Sequence, residues 1–439
     1  MMTGRGSMYW DDRWERCSRQ ELEAFQLQRL RETVAWLWER VPFYRERLKE
    51  AGVTSQEIKT LEDVSRLPFT VKDHLRGNYP FGLCAVPMKD VVRIHASSGT
   101  TGKPVTGLYT SADLDRWAEC MARALWSAGV RPDDILQDAH GYGLFTGGLG
   151  FLQGATRLGC TVVPASSGQT ERQVMLLKDF GTTVLCCTPS YALTIAERAE
   201  QLGVDLRELP LRIGVFGAEP WTVAMRKEIE SRMGIKAHEV YGLTEMCGPG
   251  IAFSCEAQDG LHINEDHFLP EVVDPKTLEP LPHGSWGELV LTSLQREAMP
   301  LLRFRTRDMT RLRTESCPCG RTLIRMEKVT GRSDDMLIIS GVNVFPSQIE
   351  SLLLDVEGVE PHYILVVRKK GYLDQLVIQV EGKGEVFQAG QHRVREVEGA
   401  IVHRIRDIVG ITPVVELKPP QTITRSEGKA KRVVDERTA

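Results

Sequence analysis

The sequence predicts an α/β protein, with a large multilayer N-terminal lobe on mainly parallel sheets and a small α+β domain at the C-terminal end. Three observations point there. From about residue 90, short apolar runs alternate with glycine- or proline-marked turns and helix-like stretches, the pattern of strands buried between helices. Near Gly331 the composition changes, and about a hundred residues of different character follow. The 439 residues also exceed what one ordinary core encloses.

Taken in order, the chain begins with a helix. Ser18 and Glu21 stand at capping-box spacing. Leu27, Leu30, Val34, Leu37 and Val41 recur at steps of three and four along one face, and Pro42 ends the run. Trp36 and Trp38 read as packing residues. Residues 91–95 form a strand that leads into a Ser/Thr/Gly loop, and residues 182–187 form a second, closed by Thr188 and Pro189. A third, 211–216, is followed by a helix over 221–233, and 288–292 form a later strand. Beyond Gly331 come a short strand, a helix over 346–354, and two alternating strands at 363–367 and 375–381 with Lys370 and Gly371 between them. The expected domains are 1–332 and 333–439.

Hydrophobic residues make up 42% and charged residues 26%, the balance of a globular chain rather than a disordered one. A formal net charge of -4 argues against nucleic acid as the main partner, because binding a phosphate backbone needs a concentrated positive surface. No apolar run reaches bilayer-spanning length, and residues 1–19 lack the apolar core of a secretion signal, so the expected location is cytoplasmic, with no membrane partner. Ten cysteines in that compartment are thiols or metal ligands rather than disulfides. Cys160, Cys186 and Cys187, in apolar surroundings, read as buried free thiols.

The strongest local signal is Ser97, Ser98, Gly99, Thr100, Thr101, Gly102, Lys103 and Pro104. Small residues let backbone amides crowd around phosphate oxygens, and hydroxyls add donors. It is not a Walker loop, since two residues rather than four separate Gly99 from Gly102. Thr244 and Glu245, after Tyr241, Gly242 and Leu243, set a hydroxyl beside a carboxylate, a pair suited to phosphate and Mg²⁺ or else to plain solvation. Asp308 stands among Arg303, Arg305 and Arg307, which fits either a salt-bridged strand or a carboxylate that accepts ribose hydroxyls. Gly331, Arg332, Ser333, Asp334 and Asp335 fall at the composition change, as a loop or a hinge would. Residues 425–432, almost at the terminus, read by themselves as a basic tail.

In this order and at these spacings the motifs resemble the adenylate-forming superfamily of acyl-CoA synthetases, and within it the phenylacetate-CoA ligase family. The resemblance extends to residues 142–150, 170–173, 180–184 and 341–350 and runs from about residue 20 to the end. It implies an AMP-forming acid–thiol ligase that uses ATP, Mg²⁺ and coenzyme A. It implies that Ser97 to Lys103 hold the ATP phosphates and that Gly217, Ala218, Glu219 and Pro220, with Tyr241, frame the adenine. By the same resemblance Thr244 contacts the α-phosphate, Glu245 the magnesium, and Asp308 and Arg332 the ribose. Asp334 becomes the hinge of a mobile small domain, Lys429 the lysine of the adenylation step, and the assembly a homodimer. The implied acyl pocket is His140, Tyr142, Phe145 and Gly147, aromatic walls and a glycine that suit a flat ring. His140 departs from the tyrosine expected there, and its imidazole either bonds a ring substituent or packs as a neutral group. Phenylacetate is thus the first expected acid. Indoleacetate, a substituted benzoate or a carrier-protein thiol as acceptor are alternatives, and a non-catalytic nucleotide-binding regulator is a reading from another class.

Cys255, His262, Cys317 and Cys319 add up to three sulfurs and an imidazole, a complete structural zinc set. Cys-x-Cys is tighter than the usual spacing, and buried free thiols are the alternative.

Overall fold

A computed structural model describes residues 7–97, 104–333, 337–339, 342–370, 373–426 and 432–437. The first long helix is Arg19–Arg40, and the Ser18 side chain caps it by accepting from the Glu21 amide. Leu30, Val34 and Leu37 are buried on its inner face, and Trp36 and Trp38 pack against the same core. Pro42 both ends this helix and starts the next, Pro42–Glu50, because a proline at the first helical position gives up no needed N–H.

Among the described residues the main sheet has nine strands. Thr161–Val163, Ile135–Asp138, Val184–Cys187, Ile213–Gly217 and Lys236–Leu243 lie side by side in parallel. Gly248–Phe253, Leu261–Ile263, Arg325–Met326 and Leu312–Arg313 then continue the sheet antiparallel. The parallel half matches the strand–turn–helix pattern. The antiparallel half is an addition, because after Leu243 the chain returns through short turns instead of helical crossovers. A second, three-stranded antiparallel sheet joins Phe268–Val273, Gly287–Ser293 and Phe304–Thr310.

The small domain sets Val414–Lys418, Leu373–Gly382, Val359–Lys370 and Val433–Asp435 into one sheet. Its two central strands are longer than the alternating runs, and the expected helix appears as Pro346–Leu354. Ile349, Leu353, Leu365, Val367, Ile378, Ile401 and Ile405 form a core of its own. No helix of the described residues is long and apolar enough to cross a membrane.

Charged groups join the two domains. Glu197, on the helix Pro189–Gln201 of the large domain, accepts from Arg425 Nε and Nη2 at 2.9 Å each and faces His362 Nε2 at 3.1 Å. Burial pushes the Glu197 carboxyl up, but hydrogen bonds and charge from His362 and Arg425 outweigh it and hold the group at about 2. Arg432 donates to Ser190 Oγ at 3.1 Å, and Arg232 pairs with Glu360 at 3.1 Å. The basic tail is therefore docked at both Arg425 and Arg432.

Inside the large domain, Arg123 on the helix Ser111–Ser127 donates to Asp266 at 2.7 and 3.0 Å and to Asn264 Oδ1 at 2.6 Å, all of it buried. Burial raises the Asp266 carboxyl, but the Arg123 charge overrides it and brings the group to about 2. Asp266→Ala strands the guanidinium and is expected to destabilise the large domain by about 3–5 kcal/mol in denaturant unfolding. The wild-type carboxylate titrates below its unfolded value of 3.8, so its stabilisation is full above that value and is lost as pH falls through about 2. The variant should lack that share of the pH dependence, while other low-titrating carboxylates such as Glu197 still contribute theirs.

Candidate active site

The ends of the parallel strands open into a cavity of about 1160 Å³. One wall follows the hairpin of Arg93–Ala96 and Thr106–Tyr109, whose loop is closed at its base by Ser97 N donating to Val105 O at 2.9 Å and Val105 N to Ser97 Oγ at 3.1 Å. His95 anchors this wall to the next through Nδ1 and Leu144 O at 3.0 Å, and burial lowers its pKa.

Ser97, His140, Phe145, Gly147, Gly217, Ala218, Thr244, Glu245 and Arg332 all line the cavity. Tyr142, Glu219, Pro220, Tyr241 and Asp308 are not among the residues that line it. Ser98, Gly99, Thr100, Thr101, Gly102, Lys103, Asp334 and Lys429 lie outside the described residues.

Gly217 ends its strand against Val240 O, where a Cβ would overlap, and Ala218 follows with φ +73°. This backbone turn exposes the strand end to the cavity. Glu219 holds the turn by accepting from the Ser190 amide at 2.7 Å. On the next strand Tyr241 donates to Asp308 Oδ2 at 2.6 Å, and burial together with that carboxylate raises the phenol well above its ordinary range. Arg332 reaches Asp308 Oδ1 at 3.5 Å because its backbone bridges Asp308 antiparallel. The neighbouring arginines have another job: Arg303 pairs with Glu271 at 2.8 Å and Arg305 with buried Glu288 at 2.8 Å. The salt-bridged reading of that segment thus holds for Arg303 and Arg305.

Thr244 Oγ1 lies 3.3 Å from Thr146 Oγ1, and Glu245 pairs with Lys72 Nζ at 3.0 Å. Lys72 was not singled out from the sequence. A lone lysine 173 positions away carries no local signal, although it opens the helix Lys72–Gly77 directly on the cavity. Arg305 and Arg307 line the cavity as well.

At the other end of the cavity His140 stacks on Phe151, ring centroids 4.6 Å apart and planes 11° apart. Asp138 Oδ1 lies 3.0 Å from His140 Nδ1, and its Oδ2 accepts from Tyr142 OH at 2.8 Å. A carboxylate at Nδ1 requires the proton there, so the neutral ring presents Nε2 as an acceptor. Among the described residues Nε2 has no hydrogen-bond partner.

Far from the cavity, Cys255, His262, Cys317 and Cys319 bring their donor atoms within 4.8 Å of one another. Cys255 and Cys317 sulfurs are 3.7 Å apart, and Cys319 sulfur is 3.4 Å from His262 Nε2. His262 Nδ1 lies 3.1 Å from Leu323 O, which leaves Nε2 for the cluster.

The chain matches the family models for AMP-binding enzyme over residues 44–295 and AMP-binding enzyme C-terminal domain over 341–437. It is 52% identical to the phenylacetate-coenzyme A ligase of Thermus thermophilus, with 98% of this chain and 99% of that one covered. The corresponding Escherichia coli ligase is 51% identical, with 96% of each covered. Among solved structures, 2-hydroxyisobutyryl-CoA ligase in the postadenylation state with 2-HIB-AMP superposes with a TM-score of 0.95 at 30% identity, covering 100% of this chain and 94% of that one. The same ligase in the thioesterification state, at 31% identity and the same coverage, gives 0.75. The whole chain thus superposes better on the first of these structures than on the second. Identity of about half over nearly the full length, on a strand-end cavity that gathers the expected side chains, makes this chain a member of the AMP-binding enzyme family and, within it, of the phenylacetate-coenzyme A ligase family.

Proposed function

We propose that this protein condenses an aromatic carboxylic acid, phenylacetate first, with ATP to an acyl adenylate and then transfers the acyl group to coenzyme A, in the cytoplasm. One observation carries the reading. A single cavity is lined both by His140, Phe145 and Gly147 and by Gly217, Ala218, Thr244, Glu245 and Arg332.

In the first step the acid's carboxylate attacks the α-phosphate and diphosphate leaves. In the second the CoA thiol attacks the acyl carbon and AMP leaves. Thr244 donates to the α-phosphate, the Asp308 carboxylate held by Tyr241 accepts the ribose hydroxyls, and Arg332 lies beside it. Residues 97–103 cradle the distal phosphates, and Lys429 offers its ammonium to the charge that builds on the α-phosphate. Glu245, whose carboxylate pairs with Lys72, is the hard oxygen donor that would hold magnesium. Bound there, the ion supplies neutralisation of phosphate charge. Asp334 is the hinge about which residues 333–439 turn between the two steps.

His140 favours a second substrate reading. Its Nε2 accepts from a hydrogen-bond donor on the ring, which suits indoleacetate or a hydroxy- or amino-benzoate. AMP release from ATP and CoA is measured across phenylacetate, indoleacetate, benzoate and these benzoates. Phenylacetate should lead. If a ring-donor acid leads by more than about tenfold, the second reading replaces the first, and release with none of them would sink the proposal. Lys429→Ala is expected to lower adenylate formation by about 10²-fold or more while supplied acyl-AMP is still thiolysed. An equal fall in both half-reactions would remove its assigned role.

We also propose that the Cys/His cluster is a structural zinc site. Two sulfurs at 2.3 Å from one tetrahedral ion lie about 3.8 Å apart, and a sulfur and a nitrogen about 3.6 Å apart. The observed 3.7 and 3.4 Å fit that geometry. Four protein donors leave no open position, so the ion would brace the fold and take no part in the reaction. Metal analysis should find one zinc per chain. Cys317→Ser should lose it and lower Tm by about 3 °C or more, the effect of roughly 2 kcal/mol in a domain of this size. Full stability without zinc in the wild type would refute the site.

A further inference from the structure

Arg425 lies four positions before Lys429 and Arg432 three positions after it. Both arginines are held by one helix of the large domain, Pro189–Gln201: Arg425 by Glu197 and Arg432 by Ser190. Seven residues separate those two anchors, which places them about two turns apart along the same helix.

Arg425 is itself firmly built into the small domain. Glu381, fully buried, accepts from its Nη1 and Nη2 at 2.8 Å each and also from the Gln421 and Ile423 amides at 3.0 and 2.6 Å. The guanidinium is thus a rigid fork, one side facing Glu381 inward and the other facing Glu197 across the interface. Arg432 is steadied in the same way, by Pro361 O at 3.2 Å and by the face of Tyr363, 4.4 Å from its ring centroid.

We propose that Glu197 and Ser190 are positioning residues for adenylate formation: by gripping Arg425 and Arg432 they hold the small domain in the adenylate-forming orientation. The inference rests on the ligase reading above, and the superposition on a postadenylation structure agrees with it. The chemistry of the grip suits a contact that must also let go. Glu197 and Arg425 side chains are 17% and 18% exposed, so water can replace each partner as the domains part, which an apolar seam would not allow. A grip present in one orientation and absent in the other biases the equilibrium between them, and only such differential contacts can.

Glu197→Ala is the cleaner variant, because Arg425→Ala would strand the buried Glu381 carboxylate. Its acyl-AMP formation, read as ATP–diphosphate exchange, should fall about tenfold. Thiolysis of supplied acyl-AMP should stay within about twofold of wild type, and Glu197→Asp should recover part of the exchange. Ser190→Ala should act in the same direction and more weakly. Hydrogen exchange of the ligand-free protein gives a readout independent of activity: amides in residues 359–365 should lose protection in Glu197→Ala while the small-domain core at 376–380 keeps it. Unchanged exchange kinetics with unchanged protection would overturn the proposal, as would a parallel fall in both half-reactions. A wild type that activates no acid fails the ligase reading alone, and the protection measurement then decides whether Glu197 sets the domain orientation.

Discussion

The active end of the molecule depends on one strand, Lys236–Leu243, where the main sheet changes from parallel to antiparallel pairing. Its parallel neighbour ends at Gly217 and its antiparallel neighbour begins at Gly248. The switch allows two chain turns to open on the same space, one carrying Gly217 and Ala218, the other Thr244 and Glu245. Close backbone approach is the condition for it. A Cβ at Gly217 would overlap Val240 O, and one at Gly242 would overlap Gly248 O. With both strands drawn in, Tyr241 comes within reach of Asp308 on the second sheet, and that hydrogen bond ties the two sheets together beside the cavity.

Much of this was legible in the chain because it is local. The Ser18 cap, the helix Pro346–Leu354 and the strands around 184–187 and 213–217 depend on neighbours a few positions apart. So did the grouping of Thr244 with Glu245. What was hidden depends on contacts distant in sequence. The pairing of Lys72 with Glu245 is one case, and the antiparallel half of the main sheet is another, since its strands lie up to some 75 positions apart. The basic tail shows the same limit. Read alone, residues 425–432 look like loose cationic chain, and glutamates 44 and 228 positions earlier give Arg425 its place.

The Cys/His cluster does a different kind of work. Cys317 and Cys319 sit in a turn whose return strand, Arg325–Met326, pairs with Leu261–Ile263, so the four side chains of the cluster come from two adjoining parts of one sheet. The N-terminal segment is fastened over the same turn: Tyr9 OH donates to Cys319 O at 2.9 Å, and Arg321 pairs with Glu15 at 2.5 Å in a buried setting. An irregular turn at a sheet edge has few apolar contacts to order it. Crossed ties of this kind supply the order instead, and a bound ion would add four more bonds at the same point.

The charged seam between the domains answers a requirement of the chemistry. On the proposed reading, two successive reactions at one cavity use different faces of the small domain, which too tight a hold on either arrangement would oppose. Apolar burial across the seam would be non-directional, and its loss on opening would scale with area. Ion pairs and hydrogen bonds exchanged with water leave a small net difference, while their geometry still specifies one orientation sharply. Arg425 joins both needs in one side chain. Its bonds to Glu381 are internal to the small domain, whereas its bonds to Glu197 cross to the large domain and would be given up in the proposed rotation. The Glu197 side of the fork therefore carries orientation without carrying the folding of the domain, which is what separates a contact that selects a pose from one that merely holds the protein together.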